Sequence, residues 1–504
     1  MFRFIILLAC TLPPISLYYD EYFFPKWIWS IVACLVAVSI RLTYIIGILK
    51  KTHLWEWKYV ATITSVSICF YAIVDSHIRG THIHMPFENP TVLSLHLCLL
   101  LPFVYKECQN WPFKYRTLVG CIILTTLYMS HCRTGWICVA LFIITGLFRK
   151  TWQRLIGLSV IILMAILLML FVKTNSSKGR WFIIHNTIEL IAQKPFTGYG
   201  YRGFQKNYML QQKKYFEYQP ESEYSLLADN INHPLNEFLY VSVNYGCLGG
   251  LLLLFLLTGP LTIRPNKHTP SHFALQALFA FSLFAYPLYY PMSWIIIIMS
   301  WWRLIQSFYP IKIGREPSII TLFVCSIFLI YVLHEDYFFR RWGQVSYIAQ
   351  QGHPRAMMKH YECLYPHFSR NPFFLYDYTI NSFYASDFKR ACRLSDECKE
   401  YTRTYDLTLL KGDIHYQMRD YNKALQCYKT AEFMCPVRFA PLEGMLNVYL
   451  AINEPTKADS IRTIIQNKDI KVPSSTIVEI KRKSEETLTK RVSSSFAVFN
   501  NSRQ

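Results

Sequence analysis

The chain has 504 residues, of which 52% are hydrophobic and 17% are charged, and its formal net charge is +20. Soluble domains of ordinary composition carry about 25% charged residues. Several apolar runs, such as residues 155–171, approach the roughly 20 residues that a helix needs to cross a bilayer. The composition therefore excludes an ordinary soluble protein and predicts a polytopic membrane protein.

The apolar segments predict an all-α fold whose membrane bundle has about 11 spans. The segment at 2–19 has no clear small-x-small cleavage site and is followed by another span, so we interpret it as the first helix rather than a signal peptide. The other spans are predicted at 27–48, 57–75, 91–105, 117–131, 134–148, 155–172, 237–262, 272–289, 291–309 and 317–334.

Basic residues in short loops resist translocation and so mark the cytoplasmic side of a membrane protein. In this chain they are concentrated in alternate loops. These loops carry Lys50, Lys51 and Lys58; Lys106, Lys114 and Arg116; Arg149, Lys150 and Arg154; Arg264 and Lys267; and Arg303, Lys312 and Arg315. The pattern predicts a cytoplasmic N-terminus, and the odd number of spans places everything after residue 335 outside.

Polar motifs fall on the predicted outer side. Arg133 lies in "MSHCRTGW", at the junction of the fifth and sixth spans. The large outer loop, 173–236, opens with Arg180 in "RWFIIHNTIELIAQ". The apolar pattern of this segment predicts an amphipathic helix at the membrane interface, ended by Pro195.

The same loop continues with a glycine-rich turn and closes on a histidine motif. The turn "GYGYRG" carries Tyr199 and Arg202, and its tyrosines are expected at headgroup level. The closing stretch "NHPLNEFL" carries His233, Asn236 and Glu237 into the eighth span. The cysteines show no metal-ligand spacing, and the histidines of "SHIRGTHIHM" have no acidic or cysteine partner at a firm spacing. No metal and no cofactor are therefore predicted.

From about residue 335 the chain becomes polar and a pattern recurs. Each copy of the pattern contains an alanine. These are Ala356, Ala391, Ala424 and Ala458, at intervals of 35, 33 and 34 residues by subtraction. The tetratricopeptide period is 34 residues. The best unit has small, small, aromatic, small and proline residues where that consensus wants them, at Gly412, Ala424, Tyr428, Ala431 and Pro436.

These repeats predict a periplasmic helical-repeat solenoid over residues 335–472. Solenoids of this kind bind peptides or partner proteins along a concave face, and the alternative is that this one packs on its own membrane domain. Residues 473–504, with "KRKSEE" and "SSS", predict a disordered tail.

The order and spacing of the outer motifs resemble those of the O-antigen ligase and polymerase family of lipid-linked glycan transferases. A Ser-Arg-Gly-like motif of that family corresponds to Cys132-Arg133-Thr134-Gly135. The loop-opening arginine and Pro-x-x-Gly-x-Gly-x-x-x-Phe correspond to Arg180 and residues 195–204. The closing Asn-Glu-x-Leu and Asn-x-Gly-x-x-Gly correspond to 236–239 and 244–249.

The resemblance covers roughly residues 20–335, so residues 1–334 form the predicted transferase domain. The sequence departs from the family pattern at two positions. Cys132 replaces the usual serine before the arginine. Leu235 occupies the place of the family histidine, and His233 lies two residues earlier.

The resemblance implies a glycosyltransferase that moves a glycan from a polyprenyl (undecaprenyl) diphosphate to an acceptor hydroxyl. The reaction would take place without a metal at the periplasmic face of a bacterial inner membrane. Two arginines, Arg133 and Arg180, would bind the diphosphate, because guanidinium suits phosphate geometry. His233 would remove the acceptor proton. Further substrate contacts are assigned to Arg202, Tyr199, Asn236 and Glu237.

Several alternatives stay open at this stage. The acceptor is the lipid A core, the growing O-polysaccharide, or a serine or threonine of an exported protein, which would make the protein a ligase, a polymerase or a protein O-oligosaccharyltransferase. A transporter would show paired acidic residues or broken helices in internal repeats of the membrane core. A scaffold that only anchors the repeats would not need so many spans.

Overall fold

The computed structural model describes residues 59–80, 83–147, 174–263, 269–309 and 315–485, with separate positions between 31 and 42. Every regular element within these residues is helical, so the predicted all-α fold is confirmed. The predicted spans at 2–19 and 155–172 and most of 27–48 lie outside the described residues. The same is true of the loop residues Lys50, Lys51, Lys58, Arg149, Lys150, Arg154, Arg264, Lys267 and Lys312.

Three of the described helices are long and apolar enough to cross a membrane. They are α1 (Val60–Arg79), α7 (Glu237–Ile263) and the segment Pro317–Gln350 of α10 (Arg315–Gln350). The shorter α4 (Arg133–Leu147) contains a further apolar stretch, Arg133–Gly146. These helices match predicted spans, while the total number of spans stays a prediction.

The described chain divides into two compact units. The first comprises residues up to 147, together with 235–242 and 248–341. Besides α1, α4 and most of α7, it contains α2 (Pro90–Glu107), α3 (Phe113–Met129), α8 (Pro270–Ser282), a 3₁₀ turn (Pro287–Tyr289), α9 (Pro291–Phe308) and α10 as far as Arg341.

Helix α2 is central to the first unit. Its sequence is apolar on every side, as expected for a helix buried all round, and α1, α3, α4 and α8 all pack against it. Asn89 caps its N-terminus by accepting a 3.0 Å hydrogen bond from the amide of Val92, and Pro90 occupies its first turn. Small residues let α4 approach closely, since a Cβ atom on Gly135 would lie 3.4 Å from that of Ser94.

The second unit comprises residues 174–234, 243–247 and 342–485. It joins the large loop to the C-terminal repeats. The loop contributes α5 (Thr174–Gln193) and α6 (Gly203–Tyr218). The repeats contribute α11 (Pro354–Phe368), α12 (Pro372–Tyr384), α13 (Phe388–Lys399), α14 (Tyr405–Gln417), α15 (Tyr421–Met434), α16 (Ala440–Ala451) and α17 (Pro455–Asn467).

Consecutive helices from α11 to α17 pack against one another, which confirms the predicted helical solenoid. The repeating alanines Ala391, Ala424 and Ala458 are fully buried. Ala356, in the first of the four units, is exposed. A Cβ atom on Gly412 would lie 2.6 Å from the Tyr428 ring, so the small residue is needed where α14 meets α15.

A short helix follows the repeats at residues 475–485. The sequence places these residues in the disordered tail, but Ile480 is buried in the apolar core that contains Phe439 and Leu442. Burial of apolar side chains against a preformed surface stabilises a helix that its polar composition alone does not predict. Residues 486–504 lie outside the described part of the chain.

Candidate functional site

Two of the family-like motifs interlock within the second unit. Helix α7 is broken at Gly246, whose φ is 73° and ψ is 178°. Beside the break, the amides of Tyr199 and Gly200 donate hydrogen bonds of 2.8 and 2.7 Å to the carbonyl oxygens of Val243 and Asn244. The amide of Cys247 donates in return to the Pro195 carbonyl at 2.7 Å. The glycine-rich turn and the helix break therefore satisfy each other's backbone groups.

The Asn244 side chain completes this pairing. It is buried, and its Oδ1 atom accepts a 3.0 Å hydrogen bond from the amide of Phe204, in the first turn of α6. The residue at the N-cap of α6, Arg202, provides no side-chain cap of its own. Asn244 thus caps α6 from a distant part of the chain and fixes where that helix begins.

Two glycines permit the close approach of these backbones. Gly198 has φ 63°, and a Cβ atom there would lie 2.5 Å from the carbonyl oxygen of Asn244. At Gly246 a Cβ atom would lie 2.1 Å from the Phe196 carbonyl oxygen. Positive φ and the absence of space each require glycine at both positions. The presence of glycine at Gly198 and Gly246 follows from this contact.

Tyr199 and Arg202 lie on this turn. The Tyr199 hydroxyl donates a 2.7 Å hydrogen bond to Oε1 of Gln193, and burial raises the pKa of the Tyr199 phenol. The Arg202 guanidinium lies 5.3 Å from the centre of the Phe373 ring, in the first turn of α12. This cation–π contact joins the turn to the repeats.

Arg180 lies on α5, whose amphipathic character is visible in the structure. Phe182, Ile183 and Leu190 are buried on one side of this helix. Arg180 is on the exposed side, as is Trp181, whose side chain is 62% exposed. The helix runs to Gln193, just before the predicted stop at Pro195, and it begins earlier than the sequence predicts, at Thr174.

His233 lies in residues 219–236, a segment without helix between α6 and α7. It is half-buried and precedes the buried Pro234. The carbonyl oxygen of the preceding Asn232 accepts a 3.2 Å hydrogen bond from Nε2 of Gln205, on α6. The histidine is therefore held on a tethered segment.

Arg133 belongs to the first unit and is the first residue of α4. It is half-buried, while Cys132 before it is buried. The junction is held to α2 by a 2.8 Å hydrogen bond between the hydroxyls of Ser94 and Ser130. Since backbone N–H groups and the positive end of the helix dipole also lie at this end of α4, an anion there would meet the guanidinium and the helix terminus together.

Asn236 and Glu237 also belong to the first unit, and both make structural contacts. Oδ1 of Asn236 accepts a 3.0 Å hydrogen bond from the amide of Leu239 and so caps α7. Its Nδ2 atom donates to the Leu283 carbonyl at 3.1 Å. Glu237 is buried, and its Oε1 atom accepts a 2.9 Å hydrogen bond from the amide of Leu288, in the 3₁₀ turn.

The structure therefore distributes the predicted site residues over both units. Arg180, Tyr199, Arg202 and His233 lie in the second, and Arg133, Asn236 and Glu237 in the first. Within the described ranges, no group of three or more histidine, cysteine, aspartate or glutamate side chains is arranged to hold a metal ion. Sequence reasoning did not select Asn244, although it stands at the start of the Asn-x-Gly-x-x-Gly motif.

The apolar helices and the helical repeats together define the class of this protein. It is a helical membrane protein that also contains helical repeats. Residues 118–254 match the model of the family described as O-Antigen ligase. This range contains every predicted site residue, from Arg133 to Glu237. The chain is similar to the O-antigen ligases over this range, and the predicted resemblance is confirmed there.

A comparison with curated proteins finds no match to this chain. Among solved structures, the chain is similar to one titled "Crystal structure of APC/C hetero-tetramer Cut9-Hcn1", with 14% identity and a TM-score of 0.25. That alignment covers 91% of this chain and 89% of the other. A TM-score this low carries no argument about fold or function.

Proposed function

We propose that this protein transfers a glycan from a polyprenyl diphosphate, of the undecaprenyl type, to an acceptor hydroxyl at the periplasmic face of a bacterial inner membrane. The similarity to the O-antigen ligases supports transfer of the ligase or polymerase type. The observation that carries the proposal is the interlock of the glycine-rich turn with the break in α7. It joins two motifs of the matched range through contacts that only glycine and a buried asparagine allow.

The reaction forms a bond between the acceptor oxygen and the anomeric carbon while the bond from that carbon to the diphosphate oxygen breaks. The leaving diphosphate keeps the electron pair, so negative charge grows on it. Arg133 and Arg180 would stabilise this charge, since a planar guanidinium offers two parallel hydrogen bonds to phosphate oxygens. Such preorganised donors commonly supply the largest single contribution to catalysis.

The acceptor hydroxyl loses its proton as it attacks the anomeric carbon. In our proposal His233 takes this proton, because a neutral imidazole is a suitable general base near neutral pH. Asn236 and Glu237 would orient the imidazole or the acceptor, and Tyr199 and Arg202 would contact the donor. Their structural hydrogen bonds in α7 and the turn are compatible with such a role in orientation.

Three kinds of acceptor fit the proposed reaction. A lipid A core, a growing O-polysaccharide and a protein hydroxyl each provide the nucleophile that the chemistry needs. Deletion of the gene, followed by comparison of lipopolysaccharide ladders, glycoprotein staining and accumulated lipid-linked glycan, separates the three. We expect lipid-linked glycan to accumulate in every case. A deletion strain with unchanged lipid-linked glycan and unchanged products would refute glycan transfer. The alternative that the protein is a transporter would then be favoured.

A further inference from the structure

The segment that carries His233 is tethered to the repeats just before the histidine. Residues 219–236 have no helix and only local backbone turns, so tertiary contacts are needed to hold them against the repeats. Two of these contacts come from the repeats. One is made by Arg438, in the turn between α15 and α16, and the other by the first residues of α14.

Arg438 pairs with Asp229, four residues before His233. Its Nη2 atom lies 2.7 Å from Oδ1 of Asp229. The arginine is itself held in place, because its carbonyl oxygen accepts a 2.9 Å hydrogen bond from Nζ of Lys468. Its guanidinium also lies 6.0 Å from the centre of the Tyr405 ring. The charged group therefore reaches the loop from a fixed backbone position.

Asn230 makes the second contact, at the N-terminus of α14. Its Nδ2 atom donates a 2.6 Å hydrogen bond to Oδ2 of Asp406. Its Oδ1 atom accepts a weaker, 3.4 Å hydrogen bond from the amide of Tyr405. Both polar atoms of the Asn230 side chain therefore bond to the start of α14.

A buried glutamine connects these contacts to α6. Gln212 has no solvent exposure, and its Nε2 atom donates to two backbone carbonyls, that of Asp229 at 3.1 Å and that of Met434 at 2.6 Å. The loop, the end of α15 and α6 therefore meet at one side chain. The two hydrogen bonds that Nε2 donates make this connection, and Oε1 of the same side chain is buried without a hydrogen-bond partner in the described structure.

We infer that Arg438 is a positioning residue for the transfer reaction, and that the repeats serve this protein as the support that holds the His233 segment in its productive place. The inference rests on the proposed function, because it gives His233 the role of base. It assigns the repeats a task inside the catalytic unit. A displacement of about 1 Å in a reacting group can lower a rate by roughly 100-fold.

The chain offers a closely matched control pair. Arg482 and Glu479 are also 2.7 Å apart, and their side chains are 51% and 42% exposed, the same values as for Arg438 and Asp229. Exposed pairs of this kind contribute little to stability. Arg438→Met and Arg482→Met should therefore both fold, and they remove the same charge at the same exposure. Only the first of them contacts the loop.

The test measures the full-length variants in two ways. With purified lipid-linked donor, we expect Arg438→Met to lower kcat by roughly 10- to 100-fold, with the donor KM nearly unchanged. Arg438→Lys should recover most of the activity, and Arg482→Met should match the wild type. By hydrogen exchange, the amides of Leu227, Ala228 and Asn230, which are all hydrogen-bonded, should exchange faster in Arg438→Met alone.

Each outcome decides the inference. Equal exchange in Arg438→Met and Arg482→Met would refute the anchor, whatever the enzyme's substrate is. Faster exchange with an unchanged kcat would refute positioning. Two other results would refute the proposed function itself: a wild-type protein that transfers no glycan, or a fully active His233→Ala enzyme. In both cases hydrogen exchange still measures whether Arg438 holds the segment.

Discussion

The backbone amide of Phe204 donates a hydrogen bond to Oδ1 of Asn244, 3.0 Å away, although 40 residues separate them in the chain. Both residues are buried. Because a buried amide without a partner loses its hydration and gains nothing in return, this single contact decides whether α6 can begin at Gly203.

Replacing Asn244 by alanine should therefore destabilise the second unit. The Phe204 amide would be left buried and unpaired, which costs about 1–3 kcal/mol. The free energy of unfolding in detergent measures this loss. Asn207→Ala is the control, since Asn207 donates to the Gly203 carbonyl within α6, and we expect little change. Equal effects of the two substitutions would contradict the capping role of Asn244.

Gly246→Ala should prevent the interlock altogether. The added Cβ atom would lie 2.1 Å from the Phe196 carbonyl oxygen, and both atoms belong to backbones that cannot move apart cheaply. Gly343→Ala is a suitable control, because a Cβ atom at this position in α10 meets no atom within 4 Å. We expect loss of folded, monodisperse protein for Gly246→Ala and normal yield for Gly343→Ala. A well-folded and active Gly246→Ala protein would show that the helix break is dispensable.

Arg133 and Arg180 should each be needed for transfer. Loss of one preorganised charge donor typically lowers a rate by roughly 10²–10³-fold, so this is the expected loss for either alanine variant. Lysine should rescue activity only in part, since an ammonium group cannot make the planar two-point contact. Arg79→Lys, which can keep its ion pair with Asp75, is the matched control. Full activity of both Arg133→Lys and Arg180→Lys would contradict bidentate binding of the diphosphate by the two arginines. Both residues would then be interpreted as anchors at the lipid headgroups.

His233→Ala should lower the transfer rate by roughly 10²–10⁴-fold while donor binding is preserved. His185→Ala, on the exposed side of α5 and paired with Glu189, should behave as wild type. A fully active His233→Ala enzyme would move the search for the base to Glu237 or Asp229.

The ion pair between Asp229 and Arg438 has a pH dependence of its own. Burial acts to raise the pKa of the Asp229 carboxyl, but the hydrogen bond from Arg438 and neighbouring interactions leave that pKa below its ordinary value. A carboxyl lowered in this way stabilises the fold above its unfolded pKa, about 4. That stabilisation is lost only as pH falls through the folded value. The Asp229–Arg438 pair therefore stays charged between about pH 5 and 8, and the contact should weaken only in more acidic solution.

The topology is testable with reporter fusions. The alternating basic loops predict that fusions at residues 152 and 266 report the cytoplasm and that fusions at 215 and 420 report the periplasm. A cytoplasmic signal at 420 would place the repeats on the wrong side for the proposed reaction. Fusion at 215 tests the loop independently of the repeats.

Local patterns predicted much of this fold. Small residues at a 34-residue spacing identified the solenoid, and Ala391, Ala424 and Ala458 are buried because paired helices approach there. The end of α15 at Met434, two residues before Pro436, follows from the missing amide of proline. Residues 475–485 were missed, because their helix depends on an apolar surface that other residues provide.

The candidate site was predictable as a set of motifs but not as a set of contacts. The glycine-rich turn and the Asn-x-Gly-x-x-Gly motif are visible as sequence, and their interlock requires knowledge of which backbones meet. The pairing of Asp229 with Arg438 has no sequence signal of any kind. Surface charges follow no periodicity, and a single sequence does not show which acidic residue an arginine faces.

That pairing also has a consequence for the synthesis of the protein. Asp229 and Arg438 are 209 residues apart, so at about 5–20 residues per second the ribosome needs roughly 10–40 s to reach the second partner after the first. During this interval the loop aromatics Phe182 and Phe216 exist without Phe433, which packs against their cluster in the finished molecule. Exposed aromatic surface of this kind favours aggregation of partly made chains. A chain truncated before the α15–α16 turn should therefore leave this aromatic cluster incomplete when the truncation also removes Phe433, and it should aggregate more readily than the full-length protein.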